Sequence, residues 1–96
     1  MRVFWTDAAL GQLEGIRDYL AQTSPGYAHW VVARLVERSE QIAAFPRSGR
    51  MVPEYEIDEV RQVIESQYRI IYLLKEDRIE ILAIVHTSRQ DLPKDE

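Results

Sequence analysis

Cysteine is absent from this sequence of 96 residues. Without a thiol the chain can hold neither a disulfide framework nor a Cys-based zinc site, and it has no thiolate nucleophile. The two histidines, His29 and His86, lie far apart, and neither has a metal-ligand partner at helical spacing. The sequence therefore predicts no metal site and no cofactor.

Long hydrophobic runs are missing as well. The longest nearly apolar stretch, Ile79 to Val85, contains Glu80 and is far shorter than the ~20 residues of a membrane-spanning helix. At the start of the chain, Asp7 interrupts the apolar residues before the pattern of a signal peptide can form. We therefore expect a cytoplasmic protein that makes no membrane contact.

The chain also lacks a basic excess, since 12 Lys and Arg residues stand against 16 Asp and Glu residues, for a net charge of −4. Proteins that bind nucleic acid through its phosphates usually carry a basic surface. The segment from Pro46 to Arg50 is at most a local basic spot. Direct DNA binding by this chain alone is therefore not expected.

The first half of the chain has the pattern of a short strand followed by two helices. Residues 2–5 read as a strand, and Thr6 is placed to cap a helix over about residues 7–22. A second helix over about residues 25–45 ends where Pro46 forbids its continuation. Because the linker between the helices is short, they are expected to run antiparallel.

Two glycines, Gly11 and Gly15, lie within the first helix. Each weakens a helix by about 1 kcal/mol relative to alanine. Their spacing of four residues places them on one side of the helix, so we expect a neighbouring helix to approach closely there.

The second half has the pattern of a β-meander over about residues 60–87. A turn over Pro46 to Arg50 and an extended connector over residues 52–55 precede it, and a short tail of residues 88–96 follows. In the last strand, simple alternation places four apolar residues on one face: Ile79, Ile81, Ala83 and Val85.

Together these elements predict an α+β fold in which residues 1–96 form a single domain. An N-terminal antiparallel helical hairpin is expected to pack on one face of a small, twisted, mostly antiparallel sheet. The order is therefore strand, helical hairpin, basic turn and terminal β-meander.

Five segments occur in a characteristic order: Val3-Phe4-Trp5-Thr6, Phe45 to Arg50, Val52-Pro53-Glu54, Tyr68 to Tyr72, and Ile84 to Arg89. Their order and spacing resemble the RelE/ParE superfamily of bacterial toxins, and more closely its ParE branch. The resemblance extends from Arg2 to about Gln90. It is carried by the arrangement of the segments, because each motif alone is common.

This resemblance implies the toxin of a type II toxin–antitoxin system that inhibits growth, as in plasmid stabilisation, and is silenced by a ParD-like antitoxin wrapped around it. ParE-type toxins poison DNA gyrase and trap the state in which both DNA strands are cut. RelE-type relatives instead cleave mRNA on the ribosome. A third reading is a non-toxic remnant that acts only through antitoxin binding and operon co-repression.

The gyrase reading is favoured, because the chain is acidic and has Ser88-Arg89-Gln90 where the mRNA-cleaving relatives commonly carry a functional aromatic residue or histidine. On this reading nothing need be catalysed. Ribonuclease chemistry would require a base, an acid and cationic groups around one phosphate. The residues available for it are Arg69, His86 and Arg89 as cations or acid, and Glu54 or Glu65 as base. The competing interpretation of Arg69 is an ion pair with a carboxylate such as Glu65 or Glu80.

Two sets of residues are candidates for partner binding. Contact with the target is assigned to three arginines outside the regular elements: Arg47, Arg50 and Arg89. The first two could instead complement the charge at the end of the second helix. The chain has more large aromatic residues than one thin core can bury, so some of them are expected to line a groove that binds the antitoxin. The alternative is that they cover the ends of the hairpin. The residues are Trp5, Tyr19, Tyr27 and Trp30.

Overall fold

Two helices and five strands make up residues 1–88, the part of the chain that the computed structural model describes. In chain order they are β1 (Arg2–Trp5), α1 (Asp7–Ala21), α2 (Pro25–Ala44), β2 (Arg50–Met51), β3 (Val60–Glu65), β4 (Tyr68–Leu74) and β5 (Arg78–His86). The strands form one sheet in the order β1-β5-β4-β3-β2, antiparallel except for the β1–β5 pair. The predicted α+β fold is confirmed; of the predicted tail, everything after Ser88 lies outside the described residues.

Thr6 joins the first strand, the first helix and the centre of the sheet. Its hydroxyl accepts a hydrogen bond from the Ala9 N–H at 3.2 Å, which is the expected N-cap of α1. The same hydroxyl donates to the Ile81 carbonyl at 2.8 Å, and the Thr6 N–H donates to that carbonyl at 3.1 Å. One residue therefore determines where α1 begins and where the β1–β5 pairing ends.

Strand β5 contains an extra residue in its pairing with β4. Tyr72 lies opposite Ile81, but the preceding residue, Ile71, lies opposite Ala83, so Leu82 has no direct partner in β4. This is a β-bulge, and an inserted residue reverses the face to which every later side chain of the strand points. The consequence is a strand that contributes to two cores.

We call the side of the sheet covered by α1 and α2 the helix face, and the opposite side the far face. Ile79, Ile81 and Ile84 are buried on the helix face, whereas Ala83 and Val85 belong to a second cluster on the far face. The expectation that Ile79, Ile81, Ala83 and Val85 share one face is therefore wrong. Because both sides of this strand are apolar at its C-terminal end, the sequence fits either register equally well.

The segment after β2 is a turn, whereas the sequence predicted an extended connector. The N–H groups of Tyr55 and Glu56 both donate to the Val52 carbonyl, at 3.2 and 3.4 Å, and Glu56 has a φ of 53°. The short strand β2, which the prediction missed, pairs antiparallel with β3 just before this turn. As a result, the turn folds back over the far face of the sheet.

Tyr72 is fully buried and anchors the turn that follows α2. Its hydroxyl donates to the Pro46 carbonyl at 2.7 Å and accepts from the Gly49 N–H at 3.2 Å. Burial raises the pKa of the Tyr72 phenol, so the hydroxyl remains a donor. A Cβ on Gly49 would overlap that hydroxyl and would lie 2.8 Å from the Gln62 carbonyl oxygen, so glycine is required by close approach.

The glycines of α1 are in a different situation. No other described atom lies within 4 Å of a Cβ built on Gly11 or Gly15, and both residues are exposed. The expectation that a neighbouring helix packs closely against them is therefore wrong, because open space surrounds both positions.

We expect Gly49→Ala to lower the free energy of unfolding by about 2 kcal/mol, because the new methyl group overpacks the space beside Tyr72. The matched variant Gly11→Ala should raise it by up to about 1 kcal/mol, since alanine is the better helix former and meets open space. Urea denaturation followed by far-UV circular dichroism measures both. Equal stability of the two variants would contradict the close approach of this turn to the sheet.

Candidate functional site

Arg69 lies on the far face and is only 9% exposed. Its Nε donates to Gln62 Oε1 at 2.7 Å, and its Nη1 and Nη2 each donate to one oxygen of the Glu54 carboxylate at 3.3 Å. Glu54 is carried over the sheet by the turn after β2. The fork of the guanidinium, the part that would bind a phosphate, is therefore already occupied by a carboxylate.

The partner of Arg69 differs from those that the sequence suggested. Glu65 instead pairs with Arg34 at 3.3 Å, and Glu80 pairs with Lys75 and Arg78, at 3.1 and 3.0 Å. The hydrogen bond from Arg69 is the main reason that the pKa of Glu54 lies below its ordinary value. A carboxylate with a lowered pKa is a weaker proton acceptor, which makes Glu54 a poor general base in this state.

His86 lies on the other face of the sheet from Arg69. It is opposite Tyr68 in the β4–β5 pair, whereas Arg69 is opposite Val85, and neighbouring residues of a strand point to opposite faces. The imidazole meets the Tyr68 ring edge-on, with the ring centroids 5.5 Å apart. The structure thus brings Glu54 and Arg69 together and separates both from His86.

The surroundings of His86 are polar and local. Its Nδ1 lies 2.7 Å from Ser88 Oγ and its Nε2 lies 3.2 Å from Gln67 Oε1. Both ring nitrogens are therefore engaged by neighbours within the same end of the β4–β5 hairpin. The remaining ribonuclease candidate, Arg89, lies outside the described residues.

Other kinds of site receive no support within residues 1–88. This region contains no group of three or more His, Asp or Glu side chains placed to hold a metal ion. Neither of its helices is both long enough and apolar enough to cross a bilayer. The surfaces that remain are those formed by exposed arginine and aromatic side chains.

The turn after α2 carries a small group of arginines. Asp58 lies between Arg47 Nη1, at 3.1 Å, and Arg61 Nη2, at 2.8 Å, and these neighbours hold the pKa of Asp58 below its ordinary value, the Arg47 hydrogen bond most of all. Arg47 therefore pairs with a side chain rather than with the end of α2. Arg50 is exposed and opens β2 opposite Gln62. The two described target-binding candidates thus lie on one side of the molecule.

Three of the four aromatic candidates are exposed at the other end of the hairpin. Tyr19, Tyr27 and Trp30 are 71%, 47% and 51% exposed. The rings of Tyr27 and Trp30 stack with centroids 6.0 Å apart and planes inclined by 18°. Burial raises the pKa of the Tyr68 phenol, and the nearby Tyr27 and Tyr19 phenols add to the effect. Tyr19 and Tyr68 also line the same groove. We call Tyr19, Tyr27, Trp30 and Tyr68 the aromatic surface.

Next to the aromatic surface, a groove separates α1 from the end of the β4–β5 hairpin. Its walls include Gly15, Ile16 and Tyr19 on α1 and Tyr68 and His86 on the strands. Because Gly15 has no side chain, the groove stays open on the helix side. His86 and the rings of Tyr19 and Tyr68 therefore line one continuous groove.

Trp5 lies elsewhere. From β1 it packs against the main core, and it also lines a separate groove with Phe4 and Arg78 on the edge of the sheet. In that groove the Phe4 ring lies 4.9 Å from the guanidinium carbon of Arg2 and 5.9 Å from that of Arg78. The structure therefore does not place Trp5 with the other three aromatic candidates.

Comparison with known proteins gives concordant results. Residues 3–91 match the family described as the ParE toxin of the type II toxin-antitoxin system, parDE. Toxin RelE2 of Caulobacter vibrioides is 33% identical over 89 residues, which cover 92% of this chain and 97% of that protein. The putative toxin Y4kP of Sinorhizobium fredii is 33% identical over 91 residues, 93% of this chain and 91% of that protein. A solved structure, the chromosomal ParDE TA system from P. aeruginosa, is similar with a TM-score of 0.73 and 26% identity, over 90% of this chain and 95% of that chain.

The Glu54–Arg69 pair leads to a test of its structural role. We expect Glu54→Gln to lower the free energy of unfolding by about 1–2 kcal/mol, because Arg69 is nearly buried and would lose a charged acceptor. The control is Glu76→Gln on the exposed β4–β5 turn, which should change stability by less than about 0.5 kcal/mol. Urea denaturation at pH 7 provides the comparison.

The same pair predicts a pH dependence. The folded-state pKa of Glu54 lies below its ordinary value of 4.5, so the contribution of the pair is complete above that value and is lost as the pH falls through the folded-state pKa. The stability difference between the wild type and Glu54→Gln should therefore shrink with acidification. A difference that stays constant from pH 7 down to acid unfolding would contradict the ion pair.

Proposed function

Because the chain belongs to the ParE family of toxins from type II toxin–antitoxin systems, we propose that it inhibits bacterial growth by poisoning DNA gyrase and is neutralised by a ParD-like antitoxin encoded with it. In this proposal the protein is an inhibitor that binds its target and catalyses no reaction. Its partners are the antitoxin and gyrase, and it acts in the cytoplasm.

The observation that carries this proposal is the separation of the residues that RNA cleavage would need. Arg69 is closed off by Glu54 on the far face, whereas His86 points to the helix face with both ring nitrogens engaged. Ribonuclease action would require an acid, a base and a cation around one phosphate. The described residues offer no such arrangement, which favours action by binding.

A ribosome-dependent mRNA endonuclease is the second candidate. One relative carries the name Toxin RelE2, and it is 33% identical to this chain. On this reading Arg69, His86, Arg89 and Glu54 would have to converge in a state different from the one observed. A non-toxic remnant that acts only in antitoxin binding and operon co-repression is the third.

The deciding experiment is a plasmid-supercoiling reaction with purified toxin, ATP and DNA gyrase from the same bacterium. We expect linear DNA to appear after the protein is denatured, because a poisoned gyrase leaves both strands cut. Adding the antitoxin before the toxin should abolish the linear product. Fully supercoiled plasmid, together with cleaved mRNA in a translation reaction, would establish the ribonuclease instead.

We further propose that the exposed arginines after α2, Arg47 and Arg50, contact the target together with Arg89. Arg50→Glu combined with Arg89→Glu should raise the toxin concentration needed for linear DNA by about tenfold or more, because charge reversal places like charges across a complementary interface. The matched control is Arg17→Glu on α1, where the side chain is exposed and pairs with the neighbouring Asp18.

Circular dichroism and antitoxin binding should be unchanged in the Arg50/Arg89 double variant. If its potency in the gyrase reaction equals that of the Arg17 control, the arginines after α2 do not contact the target. If it loses antitoxin binding as well, the two surfaces overlap and the assignment of these residues to the target alone fails.

We assign antitoxin binding to the aromatic surface, with Tyr19, Tyr27 and Trp30 as its exposed members. Tyrosine and tryptophan are enriched at the centres of protein interfaces, and contiguous exposed rings are uncommon on the surface of a monomer. Trp5 stays a separate prediction, because it would require the antitoxin to reach the β1 edge as well.

A further inference from the structure

A ridge of four side chains runs along the exposed side of α2. Tyr27, Trp30, Arg34 and Arg38 follow one another at spacings of three and four residues, which places them on one side of a helix. The ridge begins with the stacked pair Tyr27 and Trp30, and the guanidinium carbon of Arg34 lies 5.6 Å from the centre of the Trp30 ring. We call these four residues the α2 ridge.

The two arginines of the ridge are held weakly. Arg34 Nη2 lies 3.3 Å from Glu65 Oε2 at the end of β3, and its side chain is 45% exposed. Arg38 Nη1 lies 3.4 Å from Gln41 Oε1 on the same helix. Solvent-exposed contacts of this kind contribute little to stability, so both guanidiniums can exchange their present partners for others.

The contact between Arg34 and Glu65 indicates what kind of group the ridge accepts. It is a carboxylate within reach of the guanidinium that lies over the Trp30 ring. A partner that brings its own carboxylate can reproduce this pair, while an apolar side chain of the partner covers the exposed halves of Tyr27 and Trp30. Tryptophan, tyrosine and arginine are also the residues that most often dominate the binding energy of interfaces.

We propose that the α2 ridge is a docking surface for an acidic, amphipathic peptide segment of the antitoxin, whose apolar side chain packs on Tyr27 and Trp30 and whose carboxylates pair with Arg34 and Arg38. The proposal rests on the proposed function and adds the chemistry of the partner. Trp30, Arg34 and Arg38 follow one another at about 6 Å along the axis. The apolar residue and the acids of the partner are therefore about four residues apart if the segment is helical and two if it is extended.

The charges around the ridge favour a peptide over a nucleic acid. Glu37 is exposed about one turn beyond Arg34, and Glu65 adjoins the ridge from β3. Carboxylates on both sides would repel the phosphate that a nucleic acid carries on every nucleotide, whereas a peptide can place its carboxylates opposite Arg34 and Arg38 alone.

The test compares antitoxin binding by the full-length toxin and by the double variant Arg34→Glu, Arg38→Glu, with Arg17→Glu as the matched charge reversal on α1. Isothermal titration calorimetry with the antitoxin should show a dissociation constant raised about tenfold or more for the double variant and unchanged for the control. Raising the salt concentration should weaken wild-type binding more than binding by the variant, because the variant has lost the screened attractions.

Folding is checked by circular dichroism, and the neutral double variant Arg34→Gln, Arg38→Gln serves if charge reversal prevents folding. Equal affinity of the wild type and the variants overturns the ridge proposal but leaves the proposed function intact. Failure of the wild type to bind the antitoxin overturns the proposed function itself. If antitoxin affinity is unchanged while the variants lose binding to a duplex DNA or RNA oligonucleotide, the ridge serves nucleic acid and the peptide proposal is wrong.

Discussion

The single extra residue in β5 determines which side chains of this protein can meet. If the pairing continued without the bulge, Arg69 would lie opposite Ile84, and His86 would point to the same face as Arg69. With Leu82 inserted, Arg69 lies opposite Val85 and His86 lies opposite Tyr68. The insertion also turns Ile84 towards the helices, where it joins the main core. One local irregularity therefore fills the core and separates the residues that phosphate chemistry would need.

On the far face, the arrangement of side chains depends on how two turns are attached to the sheet, the turn after α2 and the turn after β2. Tyr72 holds the turn after α2 through Pro46 and Gly49, and from there the chain enters β2 and the turn that carries Glu54. Glu54 then occupies the fork of Arg69. A buried guanidinium needs hydrogen-bond acceptors, and Gln62 and Glu54 supply them to Arg69 without any ligand. The surfaces that stay exposed include those of the helical hairpin and its flanking turn.

Local signals explain why the helices could be predicted from the sequence while the site could not. Thr6 and Pro46 act within one helical turn of their own position: Thr6 caps α1 as expected, and α2 ends at Ala44, just before Pro46. The bulge leaves no such signal, since the end of β5 is apolar on both sides. The partner of Arg69 is 15 residues away and reaches it only through a turn whose course depends on tertiary contacts. Proximity of that kind follows from the fold and cannot be deduced from spacing.

The distribution of arginines on the hairpin suggests how one partner could block another. Arg34 and Arg38 lie on the ridge, while Arg47 and Arg50 lie just beyond the last residue of α2, Ala44. From Arg38 to Ala44 the helix rises only about 9 Å. A segment that paired with Arg38 would therefore end close to the basic turn. On the proposals made for these two surfaces, the antitoxin and the target bind different arginines, so an antitoxin would not need to distort the toxin in order to silence it. An antitoxin seated on the ridge would exclude the target from Arg47 and Arg50 by its bulk, without pairing with either arginine.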